Sequence, residues 1–352
     1  MHVLQVCLPD ISFAGGVQRH VLAVSRALAD AGHRVTVAAP RTRMETALPS
    51  VPPGVELVTF PAVGPHPYSL SLPFLRRLMT AHYDIVHTHN FHLLPLLAAG
   101  ARRRGDLVVT PHYHRTDVLK KDRGHAFVAA LKKPVLRDAR AVVCVSSSEA
   151  DLLARDFELA RESLDVVPNV VLTSPRDARS NRSSPEAPLV LALGRLVAYK
   201  RFDRVVAAMQ YLPQHRLVVV GTGPERARIE AQVSSLGLGA RVDVRGRVHD
   251  DELERCLDRA DVLVAMSQLE AFGRAVYDAL AHHSPVVCSD IPAFQEAAAR
   301  FPKAVRLVSE AAPATVLAAE IATAAAAGPV DVDLSVFSPV AVADALVAVY
   351  SR

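Results

Sequence analysis

The stretch VLVAMSQLEAFGRAVYDALAHHSPVVCS, residues 262–289, runs through a strand pattern, a loop, a helix pattern and a second strand pattern. Val262–Met266 and Val286–Ser289 are short apolar runs, which is typical of buried strands in a parallel sheet. Between them, Gly273 stands where a helix would begin, and Val276 belongs to its apolar face. This order predicts a strand–helix unit of an α/β fold.

The same alternation continues along the 352 residues of the chain, with one interruption. Residues 173–187 are polar and rich in Ser and Arg, and their composition predicts a linker. A chain of this length also exceeds the size at which one hydrophobic core usually stops growing. We therefore predict a domain over 1–172, a domain over 188–337 and an amphipathic helix within 338–352. Two doubly wound domains facing one another would create a crevice at the carboxyl ends of both sheets, where such folds bind ligands.

Short apolar runs identify the individual strands. In the first half we predict strands at His2–Cys7, Arg34–Ala38, Glu56–Phe60, Ile85–His89, Leu107–Thr110, Ala141–Val145 and Leu164–Val167. In the second half we predict strands at Leu189–Leu193, Arg216–Val220, Arg241–Val244, Val262–Met266 and Val286–Ser289.

The charge of the chain argues against a nucleic-acid-binding protein. The chain has 40 Lys and Arg against 36 Asp and Glu, a formal +4 that permits phosphate-bearing ligands without requiring them. Basic clusters at 102–104, 120–121 and 132–133 are too short for the arms that grip nucleic acid. They are typical of solvated faces, although an acidic membrane surface would also suit them.

The four cysteines lie far apart without a CxxC spacing, so we expect small buried side chains in a reducing compartment. The amino-terminal residues carry no basic leader, and no apolar stretch reaches the length of a membrane span. We expect a cytoplasmic protein, with a weak peripheral contact at the inner face of the membrane left open.

Two glycine-containing turns can bind phosphate. Gly15 and Gly16 open a helix after a strand and a loop, where backbone N–H groups could meet a phosphate, although a tight turn explains the pair equally well. Arg195 follows Gly194 at the end of a strand, and Lys200 comes five residues later. A guanidinium and an ammonium together suit a diphosphate leaving group.

Two carboxylates flank the central motif. Glu270 would lie in the loop at the strand end, and Asp278 would follow about two helical turns later. One can accept hydrogen bonds from sugar hydroxyls and the other from ribose hydroxyls, while the amides between them face phosphate. The spacing of these two carboxylates is a more specific indication of a binding site than either of the two glycine-containing turns.

Histidines crowd the ends of two strands in the first half. His87 and His89 could be metal ligands, but the sequence supplies no further ligand cluster, and a structural role is favoured. His112 suits a hydrogen-bonding group beside a reacting sugar. The DVD of residues 331–333 matches a short metal-binding pattern but stands far from the other motifs, so we interpret it as part of a polar connection.

Eight segments, in order, resemble glycosyltransferase family 4, the retaining enzymes of GT-B architecture. They are GGVQRH (15–20), VVTPHYHRTD (108–117), VCVSSSE (143–149), DVVPNVV (165–171), GRLVAYKRFD (194–203), VVVGTGPE (218–225), VRGRVHDDEL (244–253) and EAFGRAVYDALAHHSPVVCSD (270–290). The resemblance spans nearly the whole chain. It implies two Rossmann-like domains, with the C-terminal helix packing back on the first.

The resemblance also implies a function. A hexosyl group would pass from a nucleotide-diphosphate sugar, UDP- or GDP-linked, to a hydroxyl acceptor, with retention and without metal or other cofactor. The acceptor would be a small molecule, a glycan or a lipid-linked compound, bound by loops of the first domain. The implied site residues are Gly15 and Gly16 at the donor diphosphate, Arg195 and Lys200 holding it, Glu270 with the Phe272–Gly273 backbone at the sugar, Asp278 at the ribose, Val248 in the loop bordering the base, and His112 near the anomeric carbon.

Three positions depart from the family pattern. Asp278 replaces the usual Glu, Val170 replaces the glycine of a Pro-Asn-Gly turn, and Arg274 stands where an apolar residue is usual. Arg274 could meet an extra negative charge on the donor or acceptor, or it could face solvent or pair with a nearby acid. The alternatives for the whole protein are a sugar-nucleotide epimerase or hydrolase and a catalytically weak nucleotide-sugar-binding protein. The absence of GxGxxG with a following acidic residue argues against a nicotinamide-dependent dehydrogenase.

Overall fold

The computed structural model describes residues 1–7, 15–42, 50–64, 71–80, 82–90, 92–101, 105–115, 123–173 and 187–352, without the side chains of 123–126. These residues form two compact units, Met1–Val170 with Ser335–Arg352 and Val171–Leu334. Most of the predicted linker and the basic clusters at 102–104 and 120–121 lie outside the described residues.

The first unit is built on a parallel sheet of seven strands, as far as the described residues show, in the order β3-β2-β1-β4-β5-β6-β7. The strands are β1 (His2–Cys7), β2 (Arg34–Arg41), β3 (Val55–Pro61), β4 (Ile85–His89), β5 (Asp106–Thr110), β6 (Ala141–Cys144) and β7 (Leu164–Val166). The helices are α1 (Gly16–Asp30), α2 (Leu72–Thr80), α3 (Leu93–Gly100), α4 (Arg123–Asp138) and α5 (Ser147–Phe157).

The second unit contains a parallel sheet whose described strands follow the order β10-β9-β8-β11-β12-β13. The strands are β8 (Leu189–Leu193), β9 (Arg216–Val220), β10 (Val242–Gly246), β11 (Val262–Ala265), β12 (Val286–Ser289) and β13 (Val305–Val308). The helices are α6 (Phe202–Ala208), α7 (Arg226–Ser235), α8 (Asp250–Arg259), α9 (Arg274–Ala281), α10 (Pro292–Arg300) and α11 (Ala314–Ala326).

The chain returns to the first unit as α12 (Pro339–Tyr350). Ser338 caps this helix by accepting a hydrogen bond from the Ala341 N–H at 3.3 Å, and Pro339 occupies its first turn. Leu346 and other apolar side chains of α12 share a buried cluster with Leu28 of α1. The last helix of the chain therefore completes the core of the first unit.

One face of the first sheet is divided between apolar and polar side chains. Towards the amino ends of their strands, Val3 and Ile85 join the apolar cluster that includes α12. Two residues further along β1 and β4 come Gln5 and His87, which are paired in register and fully buried. Because side chains alternate along a strand, these polar groups share the face covered by α12.

A buried histidine connects two helices of the second unit. His282, which follows α9, lies 2.7 Å from Asp258 and 3.1 Å from Glu254, both on α8. Burial lowers its pKa, but the hydrogen bonds to the two carboxylates outweigh this effect and raise the pKa of His282 above the usual value.

The prediction of two α/β domains with parallel sheets is confirmed, and every predicted strand is present within a few residues of its expected bounds. The pattern does not predict β13, an edge strand of four residues with Val305 and Val308 buried and Arg306 exposed. All four cysteines are buried, as expected. None of the helices in the described part of the chain combines the length and apolarity needed to span a membrane.

Candidate functional site

The loops that leave β8 and β9 lie backbone against backbone at the carboxyl end of the second sheet. The Gly194 N–H donates to the Val220 carbonyl at 3.0 Å, and the Leu196 N–H donates to the Thr222 carbonyl at 2.8 Å. A Cβ at Gly221 would lie 1.8 Å from the Gly194 oxygen, so this contact requires glycine. The sequence motifs containing Gly194 and Gly221 therefore meet at one edge of the sheet.

A backbone hydrogen bond brings Lys200 to the loop that follows β11. The Gln268 N–H donates to the Tyr199 carbonyl at 2.7 Å, which ties this loop to the short 3-10 turn Ala198–Lys200. Arg195 lies on the same β8 loop as the turn and is exposed. The two cations proposed for a diphosphate therefore both lie on the segment between β8 and α6.

Lys200 and Ser267 both contact Glu270. The Lys200 ammonium forms an ion pair with Glu270 Oε1, and Ser267 Oγ donates to the same oxygen at 2.9 Å. Ser289 at the end of β12 in turn donates to the Ser267 carbonyl. The Lys200 and Glu270 side chains are only 19% and 15% exposed, so solvent screens this pair less than a surface pair.

The ion pair borders a small concave depression, whose space of about 310 Å³ includes open solvent. Its lining includes Phe202, Gly273 and Phe294 in addition to the charged pair. A site with apolar walls and a few fixed polar groups is typical of small-molecule binding.

Helix α9 begins beside this depression. Gly273 precedes the helix in a left-handed conformation with φ +78°, and a Cβ there would lie 2.3 Å from Cε1 of Phe294. Phe272 is buried and stacks on Tyr277 with ring centroids 4.2 Å apart. The amino end of α9 favours an anionic group, because the first turn of a helix carries partial positive charge.

Arg274 and Asp278 form an ion pair one turn apart on α9. The Arg274 Nε lies 3.3 Å from Asp278 Oδ2, and the side chains are 18% and 15% exposed. Of the alternatives left open by the sequence, pairing with a nearby acid is the one that the structure contains.

The remaining predicted positions of the second unit lie on connecting loops. Val248 is half-buried on the loop between β10 and α8, in the segment expected to border a base. Asp331 and Asp333 are exposed on the connection between α11 and α12.

In the first unit, His112 follows β5 in a left-handed backbone conformation with φ +50°. The next residue, Tyr113, donates its N–H to Glu149 of α5, and the Val145 N–H donates to the same carboxyl group at 2.6 Å. Burial raises the pKa of Glu149 to about 8, although both backbone hydrogen bonds oppose this shift. The buried carboxyl group therefore anchors the loop that carries His112.

His112 belongs to a cluster of four histidines. Its Nε2 lies 3.5 Å from Nδ1 of His89, and the His20 ring lies 5.8 Å from the His112 ring. His20 also accepts the Val170 N–H at 3.1 Å, so the turn with the unusual valine contacts α1. His87 completes the cluster, with its ring 4.3 Å from that of His89.

A chain of hydrogen bonds continues from the cluster to the C-terminal helix. His89 Nε2 lies 2.7 Å from Gln5 Oε1, and Gln5 Nε2 lies 3.2 Å from the Tyr350 hydroxyl. The Tyr350 hydroxyl lies 2.6 Å from Nδ1 of His87, whose Nε2 lies 2.7 Å from the Thr110 hydroxyl. His87 and His89 thus have the structural role favoured by the sequence.

Burial keeps these imidazoles neutral. It lowers the pKa of His87 and of His112 to about 3, and it holds the pKa of His89 well below the usual value. The neighbouring histidines add to the effect, because each would repel a second positive charge. His112 can therefore donate or accept a hydrogen bond near pH 7 without carrying charge. Among the described residues, no group of three or more His, Cys, Asp or Glu side chains is arranged to hold a metal ion.

Gly15 and Gly16 lie at the amino end of α1, with Gly15 as the extended cap residue. Sequence reasoning missed His20 on the same helix, and it missed Gln5 and Tyr350. Gln5 had a detectable signal, because it interrupts the apolar strand HVLQVC with an amide. Tyr350 had none, because its partners lie more than 260 positions away (263 for His87). We predict the acceptor loops at roughly residues 11–16, 62–72 and 112–125, and of these 11–14, 65–70 and 116–122 lie outside the described residues.

Two family models together match most of the chain. The model described as Glycosyltransferase Family 4 matches residues 14–175, and the model described as Glycosyl transferases group 1 matches residues 174–325. The 2-deoxystreptamine glucosyltransferase of Streptomyces kanamyceticus is 29% identical over 235 residues, which cover 60% of this chain and 60% of that protein. The phosphatidyl-myo-inositol mannosyltransferase of Mycolicibacterium smegmatis is 28% identical over 321 residues, which cover 84% of this chain and 78% of that protein.

Solved structures resemble the whole chain. Sucrose-phosphate synthase from Thermosynechococcus elongatus superposes with a TM-score of 0.74 and 21% identity, over 99% of this chain and 95% of that chain. Anabaena HepE in complex with UDP-glucose superposes with a TM-score of 0.71 and 18% identity, over 100% of this chain and 95% of that chain. At this level of identity the similarity establishes the fold.

Proposed function

Because the chain is a GT-B glycosyltransferase of the family 4 type, we propose that it transfers a hexosyl group from a UDP- or GDP-linked sugar to a hydroxyl acceptor. The transfer retains the configuration of the anomeric carbon and needs no metal ion or other cofactor. The donor site lies at the carboxyl end of the second sheet.

The observation that carries this proposal is the Lys200–Glu270 ion pair at the edge of the depression. An ammonium beside a carboxylate offers a donor sugar two complementary contacts. The Lys200 ammonium offsets the negative charge of the diphosphate, and Glu270 accepts hydrogen bonds from sugar hydroxyls. Because Ser267 holds Glu270 in place, the carboxylate oxygens of Glu270 are oriented before the sugar binds.

The other second-unit residues bind the rest of the donor in this proposal. Backbone N–H groups at Phe272–Gly273 and the first turn of α9 orient the sugar and the phosphates. Asp278 accepts a hydrogen bond from the ribose, and Arg195 adds positive charge at the diphosphate. Val248 borders the base.

The proposed reaction needs no side-chain nucleophile. The acceptor oxygen forms a bond to the anomeric carbon on the face from which the diphosphate leaves, as the bond from that carbon to the diphosphate oxygen breaks. The acceptor proton passes to the departing diphosphate, which the cations stabilise. His112 contributes a hydrogen bond to a substrate hydroxyl, and Gly15 and Gly16 contribute N–H groups at a phosphate.

The relatives suggest a chemical class for the acceptor. Their names specify 2-deoxystreptamine in one case and phosphatidyl-myo-inositol in the other. Both contain a six-membered carbocycle with several hydroxyl groups. We therefore propose a cyclitol, free or lipid-linked, as the acceptor, and UDP-glucose as the first donor to test, because HepE binds it.

The proposal is tested first with purified protein and a panel of UDP- and GDP-linked hexoses. A donor that binds the folded state should raise the melting temperature. Incubation with cyclitols in excess EDTA should then yield product of the same anomeric configuration as the donor, read by proton NMR. Inverted product, or activity only with added metal, would contradict the corresponding part of the proposal.

Turnover of the donor without any acceptor would instead favour an epimerase or hydrolase. Donor binding without turnover under any condition would favour a binding protein.

The role of Lys200 is tested by Lys200→Met, with Lys303→Met as the matched control. Lys303 is exposed after α10 in the same unit, so it tests the loss of one positive charge alone. Lys200→Met should lower kcat/KM by about 100-fold or more, the usual effect of losing one fixed group that stabilises developing charge. Equal activity of the two variants would show that the ion pair does not act on the donor.

A further inference from the structure

The hydrogen bonds around Tyr350 have a direction that their partners determine. The Tyr350 hydroxyl lies 2.6 Å from Nδ1 of His87, whose Nε2 lies 2.7 Å from the Thr110 hydroxyl. A hydroxyl group that donates to Nδ1 leaves its oxygen to accept from a donor on another neighbour.

Gln5 supplies that donor. Its Nε2 amide group donates to the Tyr350 oxygen at 3.2 Å. The amide nitrogen of Gln5 consequently faces Tyr350, and the amide oxygen faces His89 at 2.7 Å. The hydrogen bonds thereby select one of the two possible orientations of the Gln5 amide.

The orientation of Gln5 determines where His89 carries its proton. An amide oxygen can only accept, so the facing Nε2 of His89 must be protonated. A neutral imidazole has a single N–H, which leaves Nδ1 of His89 as an acceptor. Nε2 of His112 lies 3.5 Å from this nitrogen, the longest link of the chain.

We propose that Gln5 and Tyr350 are positioning residues that hold His112 in the tautomer protonated at Nε2, with Nδ1 free to accept a hydrogen bond from a substrate. This inference rests on the proposed function only for the identity of the substrate. The tautomer itself follows from the hydrogen bonds of the first unit.

The tautomer decides which chemical groups His112 can bind. An unprotonated Nδ1 attracts a hydroxyl group and repels the lone pairs of a phosphate oxygen. The opposite tautomer would present an N–H group and would favour the phosphate. His112 is thereby assigned to a hydroxyl group, either of the transferred sugar or of the acceptor.

The direct test is the tautomer of His112 in the ligand-free protein. Long-range proton–nitrogen NMR of ¹⁵N-histidine-labelled protein distinguishes protonated from unprotonated ring nitrogens. The chain contains 15 histidines, so the signals of His112 are assigned by their loss in His112→Asn. We expect an unprotonated Nδ1, and a protonated Nδ1 in the parent protein would overturn the proposal.

Variants at Gln5 separate positioning from packing. Gln5→Glu keeps an acceptor facing His89 and should keep the His112 tautomer. Gln5→Leu removes the acceptor and should lower the ratio of the two tautomers about tenfold, the usual effect of one hydrogen bond. A buried carboxyl group disturbs the fold more than leucine does, so a purely structural effect would reverse this order. That reversed order would refute the proposal.

Tyr350→Phe provides a second test that retains the aromatic ring. It should also shift the His112 tautomer, because Gln5 then loses the neighbour that orients its amide. Tyr113→Phe is the matched control: it removes another hydroxyl group, bonded to Asp156 at 2.9 Å, one residue from His112 but outside the chain of hydrogen bonds. An identical response of the two variants would overturn the proposal.

Kinetics then identify the substrate hydroxyl. If it belongs to the donor sugar, Gln5→Leu and Tyr350→Phe should raise KM for the donor, and if it belongs to the acceptor, they should raise KM for the acceptor. An altered tautomer with unchanged values of both KM and kcat would refute the substrate contact. If the parent protein transfers no sugar at all, the proposed function fails, while the NMR result still decides the role of Gln5 and Tyr350.

Discussion

Substitution of Gly273 by alanine should destabilise the second unit more than an ordinary glycine replacement. Two effects act together at this position. A non-glycine residue at φ +78° is strained, at a cost of about 1–2 kcal/mol. The new Cβ would also lie 2.3 Å from Cε1 of Phe294, a fully buried ring, and such overpacking costs about 1–3 kcal/mol. The free energy of unfolding should therefore fall by about 2–5 kcal/mol.

Gly237→Ala separates the two effects. Gly237 lies in the same unit at φ +66°, but a Cβ there would have nothing within 4 Å. Only the backbone strain applies, so the expected loss is about 1–2 kcal/mol. Urea unfolding followed by circular dichroism measures both losses, and the difference between them isolates the contact with Phe294.

A double-mutant cycle with Phe294→Leu completes the test. The smaller side chain should relieve the overlap, so the double variant Gly273→Ala, Phe294→Leu should be more stable than the sum of the two single effects predicts. Because Gly273 begins α9 beside the proposed donor site, the melting-temperature shift given by a donor should fall in Gly273→Ala. Equal losses for Gly273→Ala and Gly237→Ala, together with an additive cycle, would refute the role of Phe294.

Three further outcomes are expected. Because the pKa of His282 is raised, its contribution to stability is full below the ordinary histidine pKa and is lost as the pH rises through the folded value. His282→Gln should therefore destabilise most at about pH 6 and least at about pH 9. Urea unfolding midpoints measure this difference. Burial raises the pKa of Glu149 to about 8, so the parent loses stability as the pH rises from the ordinary carboxyl range through that value. The uncharged Glu149→Gln should consequently gain stability relative to the parent over this range, and a constant difference in melting temperature would contradict the shift. Arg274→Ala and Asp278→Asn should each raise KM for the donor. Because the two side chains act as one pair, KM of the double variant should not exceed that of the more impaired single variant. Additive effects, or unchanged kinetics in Arg274→Ala, would disprove this.

The sequence predicts the fold well because most of its strands are short, largely apolar runs between turn residues. Ile85–His89 and Leu189–Leu193 have the predicted bounds, since each lies inside a sheet and is flanked by residues typical of turns, Asp and Asn in the first case and Pro and Gly in the second. β13 escapes prediction because an edge strand needs only two buried side chains, and its Arg306 breaks the apolar pattern. A strand that is buried on both faces thus has an apolar run that can be recognised in the sequence, and an edge strand lacks it.

Local spacing also predicts part of the candidate site. Glu270 and Gly273 stand within four positions of each other, and the structure places both at the depression. The partnership of Lys200 with Glu270 spans 70 positions and depends on a loop-to-loop backbone hydrogen bond that no residue pattern specifies. The assignment of these residues to a donor sugar stays a prediction until the variants are measured.

The return of α12 to the first unit affects how the protein can fold during synthesis. Residues Val171–Leu334 form one uninterrupted segment, so the second unit can fold as soon as the ribosome has released it. The first unit, although translated earlier, must wait with part of its apolar surface uncovered and with His87 and Gln5 lacking Tyr350. In the nascent chain the later unit can therefore mature before the earlier one, and loss of the final helix would damage the unit made first.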